Sequence, residues 1–213
     1  MNQSYGSWST SSKVFGIGLG RTGTKSLTCA LNYMGIHVVH YPEDADTYRA
    51  LSQGNYEFSL LNTLDGITDV TVSLFYPHLD KIYPGSKFIL TIRDKEDWLD
   101  SLEKHWNNHP CFDESIPNTP ENKTRLLVRQ LLYAAVFGCY TFSRDRADYV
   151  YDLHYRNVKD YFEGRPNDLL IMDICGGQGW EKLCSFLGYP LQSMTFPNVR
   201  EKEELNSLMC VTP

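Results

Sequence analysis

The chain has 213 residues, with 20 Lys and Arg set against 26 Asp and Glu, a formal net charge of −6. Its 42% hydrophobic and 22% charged residues are those of an ordinary globular protein and exclude a disordered or fibrous chain. The mild acidity argues against nonspecific nucleic-acid binding, which needs concentrated cations to displace counterions from phosphate.

A chain of this size buries roughly 70% of its unfolded surface, so residues 14–213 are expected to form one domain around one core. Residues 1–13 carry no apolar block and read as a polar, flexible leader. The longest apolar runs, Leu126–Val128 and Leu131–Phe137, fall far short of the ~20 residues of a membrane span, so no membrane partner is expected. Six cysteines (Cys29, Cys111, Cys139, Cys175, Cys184, Cys210) form no CxxC pair and no short metal spacing. With no secretory signal they read as reduced thiols in a cytoplasmic compartment, and no metal site is expected.

In chain order, Val14–Gly18 is a short β-favouring run that stops at a glycine-rich turn. Leu27, Ala30, Leu31 and Met34 then recur at helical spacing, Gly35 is placed to end that helix, and Ile36–Val39 restarts as a strand. Strand, helix, strand over this distance is the parallel crossover unit. The alternation returns at Lys87–Ile92, a strand entered from the Pro84-Gly85 turn and followed by a helix from Lys95 to Trp106 that Asp94 caps. Residues 107–121 hold Pro110, Pro117 and Pro120 and read as a lid loop. Residues 122–162 read as two helices, Leu169–Met172 as another buried strand, and Trp180–Leu187 as a last helix ended by Gly188 and Pro190. The fold class is α/β, a central parallel sheet flanked by helices.

Residues 16–26 run GIGLGRTGTKS, a glycine-rich turn between strand and helix. Glycines let backbone N–H groups converge on an anion, and the start of a helix adds partial positive charge. Arg21, Thr22, Thr24, Lys25 and Ser26 add side-chain donors to the same place. Gly18 to Gly23 matches the GxGxxG of dinucleotide-binding proteins, but the next strand ends at His40-Tyr41-Pro42 with no acid at its tip for a ribose. Gly18 and Gly23 also have Walker A spacing, except that Thr24 intrudes before Lys25-Ser26. Taken alone, the loop leaves a dinucleotide, a nucleoside triphosphate and a plain tight turn all open.

A second segment bears on the choice. The strand at 87–92 ends in Arg93-Asp94, and Ser101 follows about two turns into the next helix. Such an Arg and Ser would grip a second phosphate; the plainer alternative is an Arg paired with Asp94 or Asp97 and a surface Ser.

Together the two segments resemble the sulfotransferases that use 3′-phosphoadenosine 5′-phosphosulfate. In that family a Lys or Arg followed by Ser/Thr-Gly-Thr binds the 5′-phosphosulfate, and a later strand-end Arg with a Ser eight residues on binds the 3′-phosphate. Gly20-Arg21-Thr22-Gly23-Thr24 and the Arg93 and Ser101 pair fit both patterns in order. The stretches LDGITD at 64–69, YPGSKFILTIRD at 83–94 and GWEKLCSFLG at 179–188 look like one compact subfamily, so the resemblance covers most of residues 14–197. It implies a P-loop-like sulfotransferase fold and a metal-independent, in-line transfer of a sulfuryl group to a hydroxyl or amine of a small-molecule acceptor, leaving adenosine 3′,5′-bisphosphate.

By the same resemblance Gly20, Arg21, Thr22, Gly23, Thr24, Lys25, Ser26, Arg93 and Ser101 hold the donor. Arg21 stands where many relatives carry a Lys that stabilises the leaving oxygen; an Arg keeps its proton, so it serves as fixed charge and donor. Lys25 is the other cation placed to follow charge onto the leaving group. For the general base, many cytosolic relatives carry a His at the end of the second core strand, where this chain has Thr68-Asp69-Val70-Thr71. Asp69 would replace it, provided burial raises its pKa towards neutrality. Asp65 is the competing carboxylate, and His40, at a strand end facing the cleft, is the one histidine worth testing. The family's late nucleotide loop finds only Asn198-Val199-Arg200 as a match. The chain is shorter than typical cytosolic members, which leaves the acceptor pocket either open or completed by a partner subunit, as in a homodimer.

Three other readings compete. A P-loop kinase-like phosphotransferase would need Mg²⁺ and a strand-end acid, for which Asp173 is available. A dinucleotide oxidoreductase would leave Arg93 and Ser101 without a purpose. A nucleotide-binding protein without turnover would keep the phosphate sites and lack a working base.

Overall fold

The apolar run at 14–18 becomes strand β1 (Val14–Gly16), cut short where the chain turns at Gly18. A side chain at Gly18 has no room, because its Cβ would fall 1.9 Å from Thr91 Oγ1. Strands β2 (Val38–His40), β3 (Gly66–Thr68), β4 (Lys87–Thr91) and β5 (Leu169–Met172) complete an all-parallel sheet in the order β2-β3-β1-β4-β5. This computed structural model describes residues 12–113 and 115–199.

Among the described residues eight α-helices connect or follow the strands: α1 (Thr24–Tyr33), α2 (Ala45–Ser52), α3 (Val70–Ser73), α4 (Tyr76–Ile82), α5 (Lys95–Asn108), α6 (Pro120–Phe137), α7 (Arg144–Tyr161) and α8 (Trp180–Leu187). Because side chains alternate across a strand, Val14 and Phe15 enter different cores. Phe15, Ile67, Phe88 and Leu90 join residues of α3 to α7, among them the fully buried Trp98 and Leu132. Val14, Val38, Ile89 and Met172 join Leu27 and Leu31 of α1 and Leu183 and Leu187 of α8. Helix α1, which follows β1, therefore covers one face, while α5, which follows the adjacent β4, covers the other. The carboxyl ends of two neighbouring strands whose helices part in this way open a crevice, the general ligand position of open α/β sheets.

Each element expected from periodicity forms, with boundaries shifted by a few residues. Gly35 (φ +80°) follows α1, Asp94 caps α5 by accepting from the Asp97 amide at 3.1 Å, and Gly188 (φ +73°) ends α8. The stretch 122–162 splits where Gly138 (φ +69°) terminates α6 and Ser143 caps α7. The expected lid loop contracts to 109–119, because α5 runs on to Asn108 and Thr119 caps α6 two residues earlier than foreseen. Lys13, assigned by composition to the leader, belongs to the folded domain: its carbonyl accepts from the Lys87 amide and its Nζ donates to Leu64 O, both at 2.8 Å. The leader's residues 1–11, together with Arg200 and Cys210, lie outside the described residues. Among the described residues no helix is long and apolar enough to cross a membrane.

Candidate active site

The glycine loop is fixed from behind. Four successive carbonyls, those of Ile17, Gly18, Leu19 and Gly20, accept from His154 Nε2 (2.8 Å), Ser73 Oγ (2.7 Å), Thr22 Oγ1 (2.6 Å) and Trp98 Nε1 (2.9 Å). With its carbonyls tied to α7, α3 and α5, the loop is set in one conformation before any anion arrives. Gly23 (φ +96°) leads into α1 with no side-chain cap and no acid in the first turn. The first amides of α1 have no intrahelical acceptor, so this end of the helix is built for negative charge.

Among the residues assigned to the donor, the hydroxyl of Thr22 is already committed: it donates to Leu19 O and bonds Thr91 Oγ1 at 2.6 Å. Thr24 donates to Asp69 Oδ2. Ser26 Oγ accepts from the Val199 amide at 3.0 Å and keeps its own proton to give. Lys25 is half-buried in the first turn of α1. What this loop presents to an anion is therefore chiefly backbone, with the two threonine side chains shaping it.

The second grip meets the first. Arg21 Nε donates to Ser101 Oγ at 3.1 Å, and Arg93 Nη1 reaches the Arg21 carbonyl at 3.5 Å. Arg93 pairs with neither Asp94 nor Asp97 among the described ion pairs, and its Nε is buried with no protein partner. The plainer alternative for this segment thus does not hold. Tyr151 of α7 holds Arg93 in place: its hydroxyl accepts from the Arg93 amide at 3.1 Å and donates to the Arg93 carbonyl. Replacing Tyr151 by Phe leaves both backbone groups unpaired, and about a tenfold loss of affinity is expected for an anion held by Arg93, read by calorimetry with adenosine 3′,5′-bisphosphate as probe and with circular dichroism unchanged. Unaltered affinity would show that Arg93 needs no such support.

Among the described residues three non-glycine residues have positive φ, and all three lie at this edge: Arg21 (+74°), Tyr41 (+45°) and Asp69 (+80°). With ψ at −171°, Asp69 occupies a region otherwise reserved to glycine, a strain that persists only where surrounding contacts impose it. Those contacts are plain. Its amide donates to Gly16 O at 2.9 Å, Oδ1 accepts from the Val70 amide at 2.6 Å, and Oδ2 accepts from Thr24 and from His40 Nε2 at 3.0 Å.

Burial alone would raise the Asp69 pKa, but the charge and hydrogen bond of His40, then Thr24 and the Val70 amide, outweigh it and hold the carboxyl down to about 2. The condition under which Asp69 by itself was expected to act as base is therefore not met. An ionised carboxylate accepts only, so the network puts a proton on His40 Nε2; the neutral imidazole then has its lone pair on Nδ1.

Asp65 is corrected outright. It precedes β3, and the strand places it about 13 Å along the chain from Asp69, at the amino end of the sheet. There Oδ2 accepts from the His37 amide at 2.8 Å and the Asp65 amide donates to His37 O at 2.7 Å. It is a strand clamp. Asp173, offered for a Mg²⁺ role, spends Oδ1 on the Gly176 amide at 2.7 Å within its own turn. His154, Tyr151, Trp98 and His105 were not picked out from sequence. The i, i+3 spacing of Tyr151 and His154 on one helix face was the available signal.

A crevice at the switch point, a helix start without an acid and two arginines joined to it make a site suited to an anion. The sulfotransferase domain model matches residues 13–205, and the chain belongs to that family of enzymes, which transfer sulfuryl groups. It is also similar to the Ava biosynthesis cluster protein M of Aspergillus versicolor, 25% identical over 88% of this chain and 80% of that protein.

Proposed function

We propose that the chain moves the sulfuryl group of 3′-phosphoadenosine 5′-phosphosulfate to a hydroxyl of a small acceptor, with His40 and Asp69 acting as a dyad. The observation that carries this reading is the junction of the two grips, Arg21 on Ser101 with the unpartnered Arg93 Nε beside them. A buried guanidinium nitrogen without a partner is costly and fits an anion held at that point. The loop amides fit the 5′-phosphosulfate, because the start of α1 carries no side-chain cap and no acid in its first turn. Arg93 and Ser101 fit the 3′-phosphate.

When bound, the donor supplies the sulfuryl group; the protein supplies position and charge. Arg21, and with it Lys25, stabilises charge gathering on the leaving oxygen. Asp69 lies against Gly20, whose Cβ position is 3.4 Å from Oδ1, so the dyad and the loop border the same point. His40 takes the acceptor proton on Nδ1 while Asp69 holds Nε2–H and balances the imidazolium that forms. The five cysteines among the described residues are free thiols, in keeping with a reducing, cytoplasmic setting.

A calorimetric titration with adenosine 3′,5′-bisphosphate, with ATP plus Mg²⁺, and with NAD tests the donor. Tight binding is expected for the bisphosphate alone and without added metal. Preference for ATP with Mg²⁺ would replace this reading by a kinase-like one, and preference for NAD by an oxidoreductase.

A further inference from the structure

The cleft next to the donor site is framed by three walls. Ser101 and His105 lie one turn apart on α5, and His109 follows directly after its last residue. Ser101 takes the hydrogen bond from Arg21, and the rings of His105 and His109 lie 4.8 Å apart. On α6, Arg125, Arg129 and Tyr133 form a stripe of the same spacing. One end of it is tied to the segment after β2, where Arg125 reaches Glu43 at 3.7 Å. The other end stacks on α5, with Tyr133 lying 4.1 Å from Trp106 ring to ring. Arg129 lies between these two anchor points and donates from Nη1 to Pro110 O at 3.1 Å. The end of β2, His40 and Tyr41, makes the third wall.

Tyr41 packs against the core cluster to which Trp106 and Tyr133 belong, so the end of β2, α5 and α6 are neighbours. Tyr41, Tyr133 and His105 come from three different elements, and each feels both Arg129 and Asp69. Burial keeps the two phenols protonated, and burial with Arg21 and His109 holds His105 down to about 4. At neutral pH these three are uncharged. Arg129 is different. It is half-buried, and no carboxylate lies within ion-pair distance of it among the described residues; Arg49, Arg125, Arg144 and Arg165 have one, and Arg146 and Arg156, which also lack one, are exposed. Arg21 and Arg93 are accounted for by the two phosphates of the donor. That leaves Arg129 as the half-buried arginine, among the described residues, with neither a carboxylate nor a donor phosphate to pair with.

We infer that Arg129 receives the carboxylate of the acceptor, so that the substrates of this enzyme carry an anionic group as well as the hydroxyl presented to His40 and Asp69. The inference rests on the sulfotransferase reading and adds the class of acceptor to it. The walls of the cleft supply neutral hydrogen bonds and aromatic surface; Arg129 supplies the charge that selects.

The test uses the full chain loaded with adenosine 3′,5′-bisphosphate and measures binding of para-hydroxyphenylacetate, salicylate and lactate, each against its methyl ester. At least one acid is expected to bind ten times or more tightly than its ester. In Arg129→Gln that ratio falls to near one, and in Arg129→Lys part of it returns. Bisphosphate binding by both variants serves as the control for folding. Equal binding of acids and esters, absence of acid binding, or an unchanged ratio in Arg129→Gln overturns the assignment while leaving the donor site standing. Failure of the wild-type chain to bind the bisphosphate removes the donor reading and this inference together.

Discussion

Arg93→Ala is expected to bind adenosine 3′,5′-bisphosphate about 100-fold more weakly than the wild-type chain and to keep its fold. The magnitude follows from charge-assisted hydrogen bonds, each contributing about 1.5–3 kcal/mol where water is partly excluded. The fold survives because Arg93 makes no ion pair among the described residues, and its contact with the Arg21 carbonyl is long at 3.5 Å. Truncation also removes a buried nitrogen that has no protein partner. Calorimetry on the variant, with circular dichroism beside it, gives the answer. A loss smaller than about threefold would mean that the later grip does not hold phosphate, and the donor assignment would go with it.

The second large effect is on turnover. Asp69→Asn and His40→Asn are each expected to lower kcat by a factor of about 10² to 10⁴, the usual range for a general base, with bisphosphate affinity within a few-fold of wild type. Because the two side chains act as a unit through the 3.0 Å contact, the double variant should be little worse than either single one. Wild-type turnover in His40→Asn combined with loss in Asp69→Asn would return the base to the carboxylate alone. Wild-type turnover in both would leave a nucleotide-binding site without this dyad.

Acid stability reports on the same group. Asp69 titrates lower in the folded chain than in the unfolded one, so its contribution is complete above the unfolded pKa and is lost as the pH falls from about 4 towards 2. The shift corresponds to about 2 kcal/mol. In Asp69→Asn this part of the acid-induced loss should be missing from denaturant titrations taken across that window.

Local chemistry was enough to read the two anion-binding segments. A glycine-rich turn between a strand and a helix, and an Arg with a Ser two turns on, work through backbone and spacing that lie close together in the chain. The helices of 122–162 and the strands at 14, 87 and 169 were legible for the same reason, since periodicity and caps are local. The strand ending at Thr68 was located only through the resemblance; its three residues are too short to show a period. The segments α2 and α4, of eight and seven residues, are similarly brief and gave no pattern of their own.

Which carboxylate enters the site was not a local question. Asp65 and Asp69 are four residues apart and look interchangeable in sequence, but a strand runs between them and carries them to opposite ends of the sheet. The pairing of Asp69 with His40 joins residues 29 apart, and its consequence, a carboxyl held low rather than raised, depends on partners that only the adjacency of β2 and β3 brings together. The same holds for His154, Ser73 and Trp98 behind the glycine loop and for Arg129, which has no carboxylate within ion-pair distance among the described residues. The sequence by itself determined the family and the parallel α/β class, because these rest on neighbours along the chain. Tertiary structure decided the protonation and pairing of the side chains in the cleft, because burial and electric field are properties of what packs around a group.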